Sequence, residues 1–118
     1  MGYKLFLDDY RNPVDVKWIS IPSGPYKVVR NYDEFVNTIS ELGIPEYVSF
    51  DHDLADSHYG NDFSKEKTGL ECAEWLINTC QDHGSKFPSF TIHSMNPVGR
   101  ERIKSAIENA YMRGRIRI

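Results

Sequence analysis

YVSFDHDL, residues 47–54, decides the fold: a short, mostly apolar run stops in acid at Asp51 and hands over to a polar loop. Its first part, Tyr47 to Asp51, suits a strand buried on both faces, because a strand with one wet face would alternate polar with apolar positions. KLFLD at residues 4–8, followed by Asp9, repeats the plan. Two buried strands that each end in carboxylates imply a parallel sheet whose carboxyl edge carries chemistry, since ligands of open α/β sheets bind outside the carboxyl ends of the strands.

The segments between these strands read as crossovers. YRNPVDVKWISIPSGPYKVVR, residues 10–30, carries Pro13, Pro22, Gly24 and Pro25, so a long helix is excluded over most of it, and a second strand is expected at Tyr26 to Arg30. Asn31 and Glu34 have the spacing of a helix N-cap pair, and Phe35, Val36, Ile39 and Leu42 repeat at helical spacing up to Gly43. After Asp51 comes a polar loop containing Gly60, Asn61 and the charged run Lys65-Glu66-Lys67; Asp56, Asp62 and His58 read as solvated there. Thr68 with Glu71 forms a capping box for a helix whose apolar face is Leu70, Ala73, Leu76, Ile77 and Cys80, ending near Gly84, with His83 a surface residue. Phe90 to His93 is a fourth strand. Asn96 and Pro97 open a last helix with Ile103, Ala106, Ile107, Ala110 and Tyr111 buried, up to Gly114. The final RIRI alternates like an edge strand, so a fifth is expected.

This alternation predicts an α/β, flavodoxin-like parallel five-stranded sheet of order 2-1-3-4-5, covered on both faces, with the first helix degenerate. A chain of 118 residues with 40% hydrophobic content is expected to form one domain over 1–118. The net charge of −3 lacks the basic field that long duplex nucleic acid requires. No apolar stretch reaches membrane-spanning length, and MGYKLFLDD enters a strand without a signal-peptide pattern, so a cytoplasmic protein is expected. Cys72 and Cys80, eight apart on one helix, are too distant along its axis to bridge and read as reduced core thiols. Nothing here sets the oligomeric state.

In the predicted topology Asp8, Asp9, Asp51, Asp53 and His93 converge on one crevice, with the four aspartates as candidate metal ligands and Asp53 alternatively the residue that only orients His52. Clustered carboxylates repel one another unless a cation neutralises them. All-oxygen donors with room for water suit Mg²⁺ or Mn²⁺, which would orient phosphate oxygens, whereas zinc would recruit more His or Cys. An acidic pair after a strand also serves as a turn former or a cap. His52 and His93 are candidate acid–base groups for attack on a phosphodiester, against the plainer reading of a buried, hydrogen-bonded structural histidine. Ser94, Asn96 and Gly99 open the last helix, whose positive end favours anions, and Arg100 is the cation best placed to reach one; Asn96 also fits the plain role of N-cap, and Arg102 sits nearby. Arg11 and Arg30 follow strand ends and either clamp phosphate or balance the acids. Arg113, Arg115 and Arg117 read as a solvated edge.

LDDYRNP (Leu7 to Pro13), SFDHDL (Ser49 to Leu54), Thr68-Gly69 and HSMNPVG (His93 to Gly99), in this order, resemble the cyclic-phosphate processing receiver-like domains, a branch of the response-regulator receiver fold. The resemblance implies an enzyme handling cyclic phosphates on a small nucleotide, an RNA end in RNA repair, or an ADP-ribose derivative. By position it implies Asp8, Asp9 and Asp51 as metal ligands, His52 and His93 for acid–base work, Ser94 and Thr68 near phosphate, and Asp51 as an alternative nucleophile. The expected activity is a metal-dependent phosphoesterase; the alternative is a non-catalytic phospho-accepting or nucleotide-sequestering module. A signalling receiver usually ends its fifth strand with lysine and adds a final helix. Here that strand is RIRI and the last helix is expected to be absent.

Overall fold

The computed structural model describes residues 2–54 and 67–118. Asp56, His58, Gly60, Asn61, Asp62, Lys65 and Glu66 lie outside them. The described residues form β1 (Lys4–Leu7), a 3₁₀ turn (Pro13–Asp15), β2 (Lys27–Val29), α1 (Tyr32–Leu42), β3 (Tyr47–Phe50), α2 (Gly69–His83), β4 (Ser89–Ile92) and α3 (Pro97–Met112). The sheet is parallel, with order β2-β1-β3-β4 and the rows Phe6–Ser49–Thr91 and Leu7–Phe50–Ile92 in register.

Each helix begins where a side chain can take over an amide that the first turn leaves without a partner. Asn31 accepts from the Glu34 amide, Thr68 and Glu71 close a reciprocal box, and Asn96 accepts from the Gly99 amide with Pro97 at the first helical position. α2 stops at Gly84, whose φ of 64° is the left-handed conformation that glycine adopts without steric cost.

Strand parity sorts the core. Leu5, Leu7, Val48, Phe50 and Ile92 point to one face, where Phe35 and Ile39 of α1, Leu76 and Cys80 of α2, and Ile103 and Ile107 of α3 complete a single cluster. Cys72 and Cys80 are buried free thiols in it. All three described helices therefore contribute to the same face. Phe6, Tyr47 and Thr91 point the other way, and the proline-broken 10–30 segment packs there: the Tyr26 ring meets Phe6 at 6.0 Å and Tyr47 at 6.1 Å.

Among the described residues the sheet has four strands, not five. Residues 115–118 reach the expected side of β4, where the Phe87 amide donates to the Arg117 carbonyl at 2.7 Å, but they form only one isolated bridge, Lys86 with Arg117. Amides two residues apart in a regular strand face the same neighbour. Here Phe87 faces Arg117 while Ser89 donates to Glu46, beside β3, so the chain turns over at Pro88 and a ladder cannot run on. Ile116 is still buried, which is what its alternation reported. Among the described residues no helix is long and apolar enough to cross a membrane.

Candidate functional site

One residue past each of three strands, the backbone stays in the ladder while the side chain changes character. The Asp8 amide donates to Val29, Asp51 to Leu7 and His93 to Phe50, which fixes these three side chains along the carboxyl edge of the sheet. Asp8, Asp51 and His93 are all buried, and each offers a ligand atom within 4.8 Å of the other two.

Asp8 is held from several sides. Oδ1 accepts from the amides of Tyr10 (3.0 Å) and Arg11 (2.7 Å), and Oδ2 lies 3.0 Å from His93 Nε2 and 3.7 Å from the Arg11 guanidinium. Burial works to raise its pKa, but the His93 contact and the two amides outweigh it and hold the carboxyl below its usual value. Among the described residues Asp51 has less support, an amide bond from His52 at 2.9 Å. Burial, and after it the charge of Asp8, pushes its pKa up to about 6 against the opposing pull of His93 and that amide.

His93 is fully buried and stacks on Phe6, centroids 4.5 Å apart. Nε2 is aimed at the Asp8 carboxylate, and Nδ1 lies 2.7 Å from the Ser49 hydroxyl. Both nitrogens are thus committed, and His93 orients Asp8 from behind rather than facing substrate. His52 is also turned aside: its Nδ1 lies 2.8 Å from Asp53 Oδ1, and its ring fills the space beside Gly99, where an added Cβ would fall 2.3 Å from Cγ. Asp53 accepts from Asn96 Nδ2 as well, and the His52 contact followed by that bond keeps its carboxyl below the usual range. Of the two roles expected for Asp53, its contacts with His52 and Asn96 fit the orienting one, and it lies outside the Asp8–Asp51–His93 group.

A cleft of about 360 Å³ opens over these residues, lined by Asp9, Tyr10, Arg11, Asp51, Asp53, Ser94, Met95 and Asn96. A larger groove of about 670 Å³ beside the 13–26 segment has no carboxylate or imidazole in its lining. The smaller one is the cleft beside Asp8, Asp51 and His93. A family model describing the cyclic-phosphate processing receiver domain matches residues 3–109 of the 118. The chain belongs to that family. No curated protein and no solved structure matches it.

The acids of this cyclic-phosphate processing receiver domain fit a hard divalent cation. Asp8 and Asp51 are buried close enough to raise the proton affinity of one by the charge of the other, and Asp9 adds to the same effect. Such a cluster is relieved by a cation with a preference for oxygen. Asp8 and Asp51 would hold it, with Asp9 in the lining of the cleft; the His93 nitrogen nearest to them is engaged with Asp8.

Other expected residues are placed differently. Arg30 spends its guanidinium on the carbonyls of Asp8 and Arg11 and on Asn12 Oδ1, so it pins the residue 8–12 turn instead of facing the cleft. Thr68 is absorbed in its capping box, and the Gly69 that follows runs against the Asp51 carbonyl. Gly99 makes room for His52. Arg100 is exposed and lines a groove between α2 and α3 rather than the cleft. Ser94 is buried at the cleft and its Oγ accepts from the Asn96 amide at 3.1 Å.

Three contributors escaped the sequence reading: Ser49, Tyr10 and Trp18. Ser49 had a legible signal, since it lies two residues before Asp51 in a strand and so shares its face. Trp18 donates from Nε1 to the His93 carbonyl at 2.8 Å, a contact across the fold that no local pattern announces.

Proposed function

We propose that this domain is a phosphoesterase that opens or removes a cyclic phosphate on a nucleotide, an RNA end or an ADP-ribose derivative, using Mg²⁺ or Mn²⁺. The observation that carries this reading is the buried carboxylate pair Asp8 and Asp51 at the strand ends, with Asp9 and Asp51 in the lining of a cleft of ligand size, in a chain of this family. When bound, the cation would neutralise and orient the phosphate oxygens.

The chain's own part is placement. His93 and the amides of Tyr10 and Arg11 fix Asp8 as an anion, Asn96 and Ser94 offer neutral polar groups at the opposite wall, and Asp51 presents a carboxyl of raised proton affinity to the cleft. Ring opening adds water across one P–O bond, the hydroxyl to phosphorus and the proton to the departing ribose oxygen. His93 has both nitrogens occupied, and the His52 ring is turned aside onto Asp53 and Gly99, so neither imidazole is set against the departing oxygen and solvent water carries that proton.

Purified protein with Mg²⁺ or Mn²⁺ is expected to turn over 2′,3′-cyclic nucleotides or ADP-ribose cyclic phosphate, with the rate lost in Asp51→Asn. Absence of turnover on all of them, with metal binding demonstrated, overturns the enzymatic reading. The commitment of His93 to internal partners favours one competing reading, a module that binds the nucleotide or accepts a phosphoryl group on Asp51 without hydrolysing a cyclic phosphate. A stable beryllofluoride adduct at Asp51 in a protein without turnover would establish that version.

A further inference from the structure

The acidic floor of the cleft accounts for a cation and a phosphate but not for its rim. Tyr10 and Met95 line the same cleft as Asp9 and Asp51, yet they remain 66% and 62% exposed. An exposed tyrosine beside an acid cluster does nothing for the core. Its ring is nevertheless held: the Arg11 guanidinium lies 4.6 Å from its centroid and 5.2 Å from that of Trp18.

That guanidinium is no free phosphate clamp. The Arg11 side chain is only 19% exposed, lying 3.7 Å from Asp8 and 3.6 Å from Met95 Sδ. Trp18 in turn is fastened through Nε1 to the His93 carbonyl at the end of β4. The result is a cation between aromatic rings, anchored to the strand ends, that fixes Tyr10 while leaving ring surface open to solvent. A rigid, exposed aromatic beside a flexible thioether is a stacking platform for a flat, π-rich group.

We infer that Tyr10, backed by Arg11 and Trp18 and flanked by Met95, stacks the base of a nucleotide whose phosphate sits over the acids. The inference rests on the proposed cyclic-phosphate function and deepens it by naming the residues that hold the base beside the phosphate. Tyr10 directly follows Asp9, so base and phosphate subsites are one residue apart along the chain and share one cleft. Stacking alone is tolerant of base identity, because every base has a π face. Weak discrimination among bases is therefore part of the expectation.

The test compares equilibrium binding, with Mg²⁺ present, of adenosine 2′,3′-cyclic phosphate and of 1-O-methylribose 2′,3′-cyclic phosphate, which keeps the phosphate ring and lacks the base. The nucleotide is expected to bind about 5- to 100-fold more tightly, the range typical of one base–aromatic stack. Tyr10→Ala should collapse that ratio towards one, and Tyr10→Phe should retain it. The Mg²⁺-induced thermal shift, measured on each variant, reports whether the acid cluster is intact. Equal affinity of the two ligands for the parent overturns the base subsite and leaves the cyclic-phosphate reading standing. A ratio that survives Tyr10→Ala overturns the assignment to Tyr10. Failure of both ligands to bind overturns the cyclic-phosphate reading, and the base subsite with it.

Discussion

Asp51 sits at an energetic disadvantage that its neighbours impose. Its folded-state pKa of about 6 lies above the ordinary 3.8, so the native protein holds the proton more tightly than the unfolded chain does. Stability is then gained as pH falls through that window and is lost as pH rises through it. In the presence of a chelator, Asp51→Asn is expected to stabilise the protein by about 1–3 kcal/mol above pH 6. The gain should fade between pH 6 and 4 and vanish below; urea titrations across this range measure it. Ser49 makes the opposite case. Removing its hydroxyl leaves the buried Nδ1 of His93 without a partner, so Ser49→Ala should cost about 1–3 kcal/mol in the same assay. A serine inside an apolar run reads as core filler until the register sets it beneath His93. Arg30 shows the same limit, because only the folded loop reveals that its donors go to carbonyls rather than to a ligand.

At the scale of elements, much was legible because the signals are local. Asn31, Thr68 and Asn96 each announce a helix start within four residues of sequence, and the acids mark the strand ends directly. Two features were not legible for physical reasons. RIRI alternates as an edge strand does, yet pairing depends on the partner, and Pro88 reverses the side of β4 that its amides would present. Orientation of the histidines depends on which face each ring packs into, which spacing alone does not record. The start of α2 carries a sharper expectation. A Cβ on Gly69 would lie 1.8 Å from the Asp51 carbonyl oxygen, a backbone clash that neither β3 nor α2 can relieve by rotating a side chain. A Cβ on Gly84 meets nothing, and only its φ of 64° opposes substitution. Gly69→Ala should therefore cost at least about 3 kcal/mol, against about 1 kcal/mol for Gly84→Ala. Equal falls in Tm for the two variants would show that α2 does not rest on Asp51 as described.

The whole molecule joins these terms at the proposed cation site. Its helices fill one face of the sheet, while the irregular 10–30 segment, which replaces a first helix, leans on the other and delivers Arg11 and Trp18 to the strand ends. The site is thus assembled from β1, β3, β4 and a segment remote from two of them, and whatever binds there holds the native chain together and not the unfolded one. Saturating Mg²⁺ at about 100 times its Kd should then raise stability by about 2.7 kcal/mol. The rise in Tm should be abolished in Asp51→Asn, where the carboxylate repulsion that recruits the cation is also gone. Ser49→Ala keeps every carboxylate and loosens only the ring behind Asp8, so its Mg²⁺ affinity should fall about 10- to 100-fold without disappearing. A thermal shift that is the same in the parent and both variants would mean that Mg²⁺ binds elsewhere, and the carboxylate cluster would lose its assignment.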